Sequence, residues 1–490
     1  MNPEVKFQAG LVRAALYELP LVAAQEGLDP PEIARIVVPT SHLKALSLDS
    51  SVIVGLRGAG KSFWTAVLSS PMHRAFVAQS ARLSELRNIE VRVGYAEAPS
   101  SPDFPTKARL RALLAEGYEA REIWLAVLLR HVRSVVSGGG ASATLDDVLA
   151  AVRSNPIDAE AGFWDAERQL GASGIRLLVL FDALDRLADD WDGVRALVRA
   201  ALEWCLTCRS SRSIRLKFFM RPDLEEDPDI WAFSDSSKLR QGAINLAWRS
   251  GDLYSVALQY LANHSSAGKH FRETITQSLG LQWEHSEETF VLPDALRRDE
   301  LIARPVVEAI TGPWMGTSHK RGYSYTWIPL HLADARGNGS PRSILLALQR
   351  AAEWTTENMP TFGLPLHYQG IQHGVAEASK TRTDEIWEDY PWIRPALEAA
   401  RGIEVPCHVR DLILRWKPTT LSSIGALSGR LPPRRFSSDP LRKGRPEALI
   451  DDMIDLAVLY RTDDNRLNMP DIFRVGVGIK RRGGVRPPSR

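Results

Sequence analysis

The sequence predicts an α/β fold: a parallel sheet with helical insertions, helices after the sheet, and a small C-terminal winged-helix-like domain. Three observations predict it. Short apolar runs recur, each ending in a polar residue, as in strands buried on both faces of a parallel sheet. The stretch Gly55-Leu-Arg-Gly-Ala-Gly-Lys61-Ser62 stands between one such run, Val52-Ile53-Val54, and a helix-forming "SFWTAVLSS". A second run, Leu177 to Phe181, ends in Asp182.

The Gly55–Ser62 stretch fits G-x-x-x-x-G-K-[ST], so the sheet reads as a parallel-sheet P-loop NTPase core. Glycines here let main-chain N–H groups approach an anion, and the following helix turns its positive end to the same point. We therefore place a nucleotide against Gly55, Arg57, Gly58, Ala59, Gly60, Lys61, Ser62 and Phe63. Lys61 is expected on the β and γ phosphates and Ser62 on Mg²⁺.

Asp182 leaves its strand at the carboxyl end, where ligands of open α/β sheets bind, and is assigned to the metal with Ser62. Asp185 follows three residues later. It either orients or deprotonates an attacking water, or caps the next helix. "SIRLKFFMRPD" is a further strand, and Arg221 at its end either senses the γ-phosphate or pairs with Asp223 or Glu225. Another strand is expected over Ala243 to Trp248, with a helix after it, and one over Glu90 to Ala96 between the loop and the Asp182 strand.

The loop, "LLVLFDALDRL", "LKFFMRPD" and "INLAW…DLY", in this order, resemble the AAA+/STAND group of P-loop ATPases over about residues 35 to 265. The resemblance implies ATP and Mg²⁺ as ligands, a strand added between the loop strand and the acid strand, and a lid whose arginine contacts phosphate. Arg342, in "GNGSPRSILL", is the residue at that place; otherwise it is a surface arginine at a helix start. It also implies an oligomer or a partner protein, and a role on DNA or in antiviral defence. Ala183 departs from the group, which carries Glu there. Slow hydrolysis, or none, in a nucleotide-stabilised DNA-binding or scaffold protein is the alternative.

The chain has 490 residues, enough for several domains. We divide it into an N-terminal helical segment (1–35), the core (36–265, with a helical insertion at about 97–170), a further insertion and the lid (266–400), the winged-helix-like domain (401–475) and a basic tail (476–490). Residues Lys417 to Glu447 read as a linker. The hydrophobic share of 44% and charged share of 24% exclude general disorder. A net charge of +2 implies no partner by itself, so a nucleic-acid surface must be local. Arg474, Lys480, Arg481 and Arg482, with no acid among them after Asp471, form a basic strip that either contacts DNA or RNA phosphates, is a solvated terminus, or docks on an acidic partner. No apolar run approaches the roughly 18 residues of a membrane span. With no evident signal peptide, and Cys205, Cys208 and Cys407 the only cysteines, a cytoplasmic place is expected. Cys205 and Cys208 are expected as apolar helix residues rather than metal ligands.

Overall fold

The structure, a computed structural model, describes residues 5–20, 28–139, 143–286, 288–427, 431–439 and 441–483. It divides into two units. One comprises Met1–Ala23, Glu32–Thr40 and Ala247–Arg490; the other comprises Ala24–Pro31 and Ser41–Leu246. Among the described residues of the segment 1–35, helix α1 (Ala9–Tyr17) lies in the first unit.

The second unit holds one parallel sheet of five strands: β1 (Val52–Val54), β2 (Ile89–Tyr95), β3 (Arg176–Phe181), β4 (Ile214–Met220) and β5 (Ile244–Asn245). The order across the sheet is β2-β3-β4-β1-β5. The strand between the loop strand β1 and the acid strand β3 is therefore β4. Glu90–Ala96 precedes β3 in sequence but forms the edge β2, where it pairs with β3 alone. Apolar runs give these strands their burial: every residue from Leu177 to Phe181 is 1% exposed or less. Phe181 of β3 stacks on Phe218 of β4 at 4.7 Å.

Helix α2 (Lys61–Ser69) follows β1. Between β2 and β3 run α3 (Lys107–Ala115), α4 (Ala120–Val136), α5 (Leu145–Ser154) and α6 (Pro156–Ala172), and α7 (Trp191–Thr207) lies between β3 and β4. The expected insertion is thus part of the core itself. The buried Trp124 of α4 donates to the Leu197 carbonyl of α7 at 2.9 Å and meets Phe181 edge-on at 5.4 Å. Cys205 and Cys208 are buried, and burial pushes the Cys205 thiol up to about 11. No three His, Cys, Asp or Glu gather to hold a metal among the described residues.

Lys217 breaks the apolar run of β4, yet it is fully buried. Its ammonium donates to the carbonyls of Ala45, Ser47 and Ser50 at 2.7, 2.8 and 2.5 Å. Burial pulls it down to about 7. The bonds tie the turn ahead of β1 to the middle of the sheet and so fix where the loop begins.

In the first unit come α8 (Ser250–Asn263), α9 (Glu300–Thr311), α10 (Ser324–Leu332), α11 (Pro341–Asn358) and α12 (Tyr368–Asp389). Helix α8 packs on α10 and α11 and falls with them in the first unit. The C-terminal part runs β6 (Glu404–Val405), α13 (Val409–Ile413), α14 (Pro418–Ala426), α15 (Arg434–Ser438), α16 (Pro446–Asp455), β7 (Tyr460–Arg461), β8 (Leu467–Asn468), α17 (Asp471–Val477) and β9 (Lys480–Arg481). β7 and β8 form an antiparallel hairpin, and Cys407, just past β6, bridges antiparallel to Leu467. Strand, helices and hairpin in this order make the winged-helix arrangement.

The described residues of the expected linker include helices α14 and α15. Trp392 donates to the Leu431 carbonyl, and both oxygens of Asp452 cap the start of α15 at 3.0 Å from the amides of Arg435 and Phe436. Within the described residues of the expected tail, β9 lies parallel to β6. Arg486 and Arg490 lie outside the described residues. Among the described residues no helix is long and apolar enough to cross a membrane.

Candidate nucleotide site

The loop is set by β1. The Gly55 amide donates to the Met220 carbonyl at 2.9 Å and the Leu246 amide to the Val54 carbonyl at 2.7 Å, so strands on both sides hold its entry. Gly58 (φ 81°) and Gly60 (φ 99°) adopt left-handed conformations that a side chain would strain. Gly60 is the residue before α2, so the turn delivers the first helical amides and Lys61 together. Lys61 Nζ donates to the carbonyls of Gly55 and Leu56 at 2.8 and 3.0 Å. Arg57 and Phe63 are half-buried, Ala59 is buried and Ser62 is exposed at the helix start. Phe63 meets Trp64 edge-on at 5.1 Å, and Trp64 donates to His42 at 3.1 Å.

Asp182 follows β3 and is 4% exposed. Burial pushes its carboxyl up from the usual range. A hydrogen bond with the Ser62 side chain, the charge of Lys61 and a bond to the Ala183 main chain act the other way, and Asp185 adds to the rise. Its Oδ1 is buried without a hydrogen-bond partner. A buried carboxylate oxygen with no donor, linked to a hydroxyl at a helix start, is the donor set a small hard cation takes: few protein oxygens, the rest water and phosphate. These residues fit Mg²⁺.

Ala183, at φ 53° and ψ 36°, turns the chain sharply after Asp182. The turn over Leu184–Arg186 brings Asp185 back to the end of the sheet. There Asp185, 7% exposed, lies 3.6 Å from Arg221 Nη1, and Arg221 Nε lies 3.3 Å from Asp223. The carboxyl ends of β1, β3 and β4 thus gather Lys61, Ser62, Asp182, Asp185, Arg221 and Asp223. Asp185 does not cap the next helix: Asp190 does, accepting from the Gly193 amide at 2.7 Å. Sequence reading named Asp223 only as a partner for Arg221. It is 13% exposed, and its Oδ2 also lacks a hydrogen-bond partner.

Arg342 belongs to the other unit, in the first turn of α11, and pairs with Glu385 of α12, which also holds Arg382 at 3.0 Å.

No protein-family model matches the chain, and no curated protein matches it. Among solved structures it is similar to the Aeropyrum pernix ORC1 protein in complex with DNA, at 14% identity and a TM-score of 0.32 over 97% of this chain and 92% of that one. The Aeropyrum pernix ORC2 protein in its ADPNP–ADP complexes aligns at 12% identity and a TM-score of 0.37, over 96% of each chain. CDC6P from Pyrobaculum aerophilum aligns at 9% and 0.27, over 87% of this chain and 84% of that one. Likeness at this level says nothing about activity; the α/β P-loop core stands on the sheet order and the loop.

The tail residues are divided by the fold. Asp471, 4% exposed, accepts from Arg474 at 2.6 Å and lies 3.0 Å from Arg481. Both guanidiniums therefore face inward and are corrected from DNA contacts to internal ties, while Lys480 and Arg482 are exposed. Helix α16, which precedes the hairpin, is acidic on its polar side: Asp451 pairs with Arg442 and Arg461, and Asp455 with Arg434 and Arg435.

Proposed function

We propose that the chain is an ATP-hydrolysing switch of the AAA+/STAND kind. The observation that carries this is the meeting of Lys61, Ser62 and the orphaned Asp182 carboxylate at one end of a sheet in the β2-β3-β4-β1-β5 order. The loop amides and Lys61 bind the phosphates. Ser62 and Asp182 would hold Mg²⁺, which supplies charge neutralisation on the phosphates when bound. Asp185 takes the proton of the attacking water as its oxygen bonds to the γ-phosphorus and the bond to the leaving ADP breaks. Arg221, beside Asp185, faces the developing charge. Arg342 reports the nucleotide to the lid, and a second copy or a partner protein completes the assembly. Lys480 and Arg482 contribute a DNA contact.

The experiment is ATP binding with phosphate release. Lys61→Ala removes a charge-assisted bond to phosphate and is expected to weaken ATP binding about 10- to 150-fold. Unchanged affinity in that variant refutes the site. A second reading, a nucleotide-stabilised scaffold that does not hydrolyse, is favoured by Ala183 where the related group carries Glu. Binding without phosphate release, alone and with duplex DNA, selects it.

A further inference from the structure

We propose that the hairpin between α9 and α10 is a contact for single-stranded nucleic acid, bases stacking on Trp314 and Tyr323 while Lys320 and Arg321 meet the phosphates.

The hairpin is built and not merely loose chain. At its neck the hydroxyls of Thr311 and Ser324 bond at 2.9 Å. The Met315 amide donates to the Gly322 carbonyl at 2.9 Å, and the Ser324 amide to the Pro313 carbonyl at 3.1 Å. Trp314 and Tyr323 bridge antiparallel, directly opposite each other. Met315, the next residue along and opposite Gly322, is 2% exposed and anchors the hairpin inward. Its neighbours point the other way: Trp314 is 38% exposed and Tyr323 45%. Most large aromatics of this chain are buried, so a pair placed side by side on a pinned hairpin is unusual surface.

The charge is one-sided. From Gly312 to Trp327 the sequence "GPWMGTSHKRGYSYTW" holds no acid. The tip is the turn His319–Arg321, with all three side chains exposed. Behind the pair, Arg304, ion-paired with Glu308 at 2.7 Å, places its guanidinium 4.8 Å from the Tyr323 ring, so the cations offered to a strand are those of the tip, Lys320 and Arg321. Stacking rings beside fixed cations are the two devices that bind single strands without reading sequence. In a duplex the base faces are hidden inside the stack, so the aromatic pair would go unused. An acidic peptide or an anionic membrane would use the cations but gives the rings no flat partner. The inference does not rest on the nucleotide site.

The test uses the full chain, without ATP, and a short deoxythymidine oligomer and its uridine counterpart against duplex DNA, by fluorescence anisotropy over a range of salt. Single strands of either sugar are expected to bind more tightly than duplex. Trp314→Ala should lower affinity about tenfold with little change in salt dependence, while Trp314→Phe keeps most of it. Lys320→Ala with Arg321→Ala should reduce the slope of log affinity against log salt by about 1.4. Lys61→Ala should leave all of this intact, which separates this surface from the nucleotide site. Equal affinity in the Trp314 and Lys320/Arg321 variants overturns the proposal. So does preference for duplex, or binding only to phosphatidylserine vesicles or an acidic peptide. If Trp314→Ala lowers the melting temperature, the phenylalanine variant and the charge variants decide.

Discussion

Asp182, Asp185 and Arg221 divide one small space into different electrostatic tasks. Asp182 is buried with one oxygen unmatched, so its charge is costly unless a cation arrives. Asp185 already has a cation beside it, Arg221 Nη1 at 3.6 Å. Asp185→Asn keeps the shape and removes the proton acceptor. It is expected to leave ATP affinity unchanged and to lower the hydrolysis rate by about 10²- to 10⁴-fold, measured as phosphate release. An unaltered rate would show that Asp185 only holds Arg221 in place. At this scale the sequence was most legible where chemistry needs a fixed spacing, as in the loop and Asp182. It was least legible where a residue's partner comes from another strand. Nothing around Arg221 in sequence announced Asp185, and nothing around Lys217 announced three carbonyls from the turn ahead of β1.

Elements were legible through their apolar runs, but their neighbours were not. Glu90–Ala96 reads as a strand equally well at the edge or the centre. Its place was set by crossover connections that no local pattern encodes. Two features of elements make predictions. His131 on α4 is 1% exposed and lies 3.0 Å from the Val93 carbonyl of β2; burial pulls it down to about 4. Its unfolded value is near 6.5, so between pH 6.5 and 4 the unfolded chain takes up a proton that the folded chain refuses. The stability of the neutral ring is therefore complete above pH 6.5 and lost as pH falls toward 4, on the order of 3 kcal/mol. His131→Gln, which can still donate to Val93, is expected to flatten that part of the acid profile of the melting temperature. Equal slopes would remove His131 from the account. In the other unit, α11 and α12 approach at Gly374, where an added Cβ would lie 2.0 Å from the Ala347 carbonyl oxygen. Gly374→Ala is expected to cost about 1–3 kcal/mol or more in chemical denaturation, because the helices must separate. A neutral substitution would mean the pair is loosely packed.

For the molecule as a whole, the division into units was the least legible feature. Composition does not change at Leu246, and helix α8 carries no mark of which neighbours it will choose. The winged-helix order was visible in outline, but β9 was read as part of a basic tail because short strands and arginines look alike whether exposed or paired. The first unit also gathers both ends of the chain. Arg13 of α1 donates to the carbonyls of Pro360, Phe362, Leu364 and Pro365 at 2.8–2.9 Å. Arg13→Ala leaves these acceptors without their donor and is expected to cost about 2–4 kcal/mol in thermal or urea unfolding. A melting temperature equal to that of the parent protein would show that water replaces the guanidinium at no cost.

The Arg13 clasp gives synthesis on the ribosome a timetable. Arg13 and Pro365 are 352 residues apart, and at 5–20 residues per second the nascent amino-terminal helix waits on the order of 20–70 s for its acceptors. All five strands of the parallel sheet emerge during that wait, so the sheet can finish folding before α1 docks.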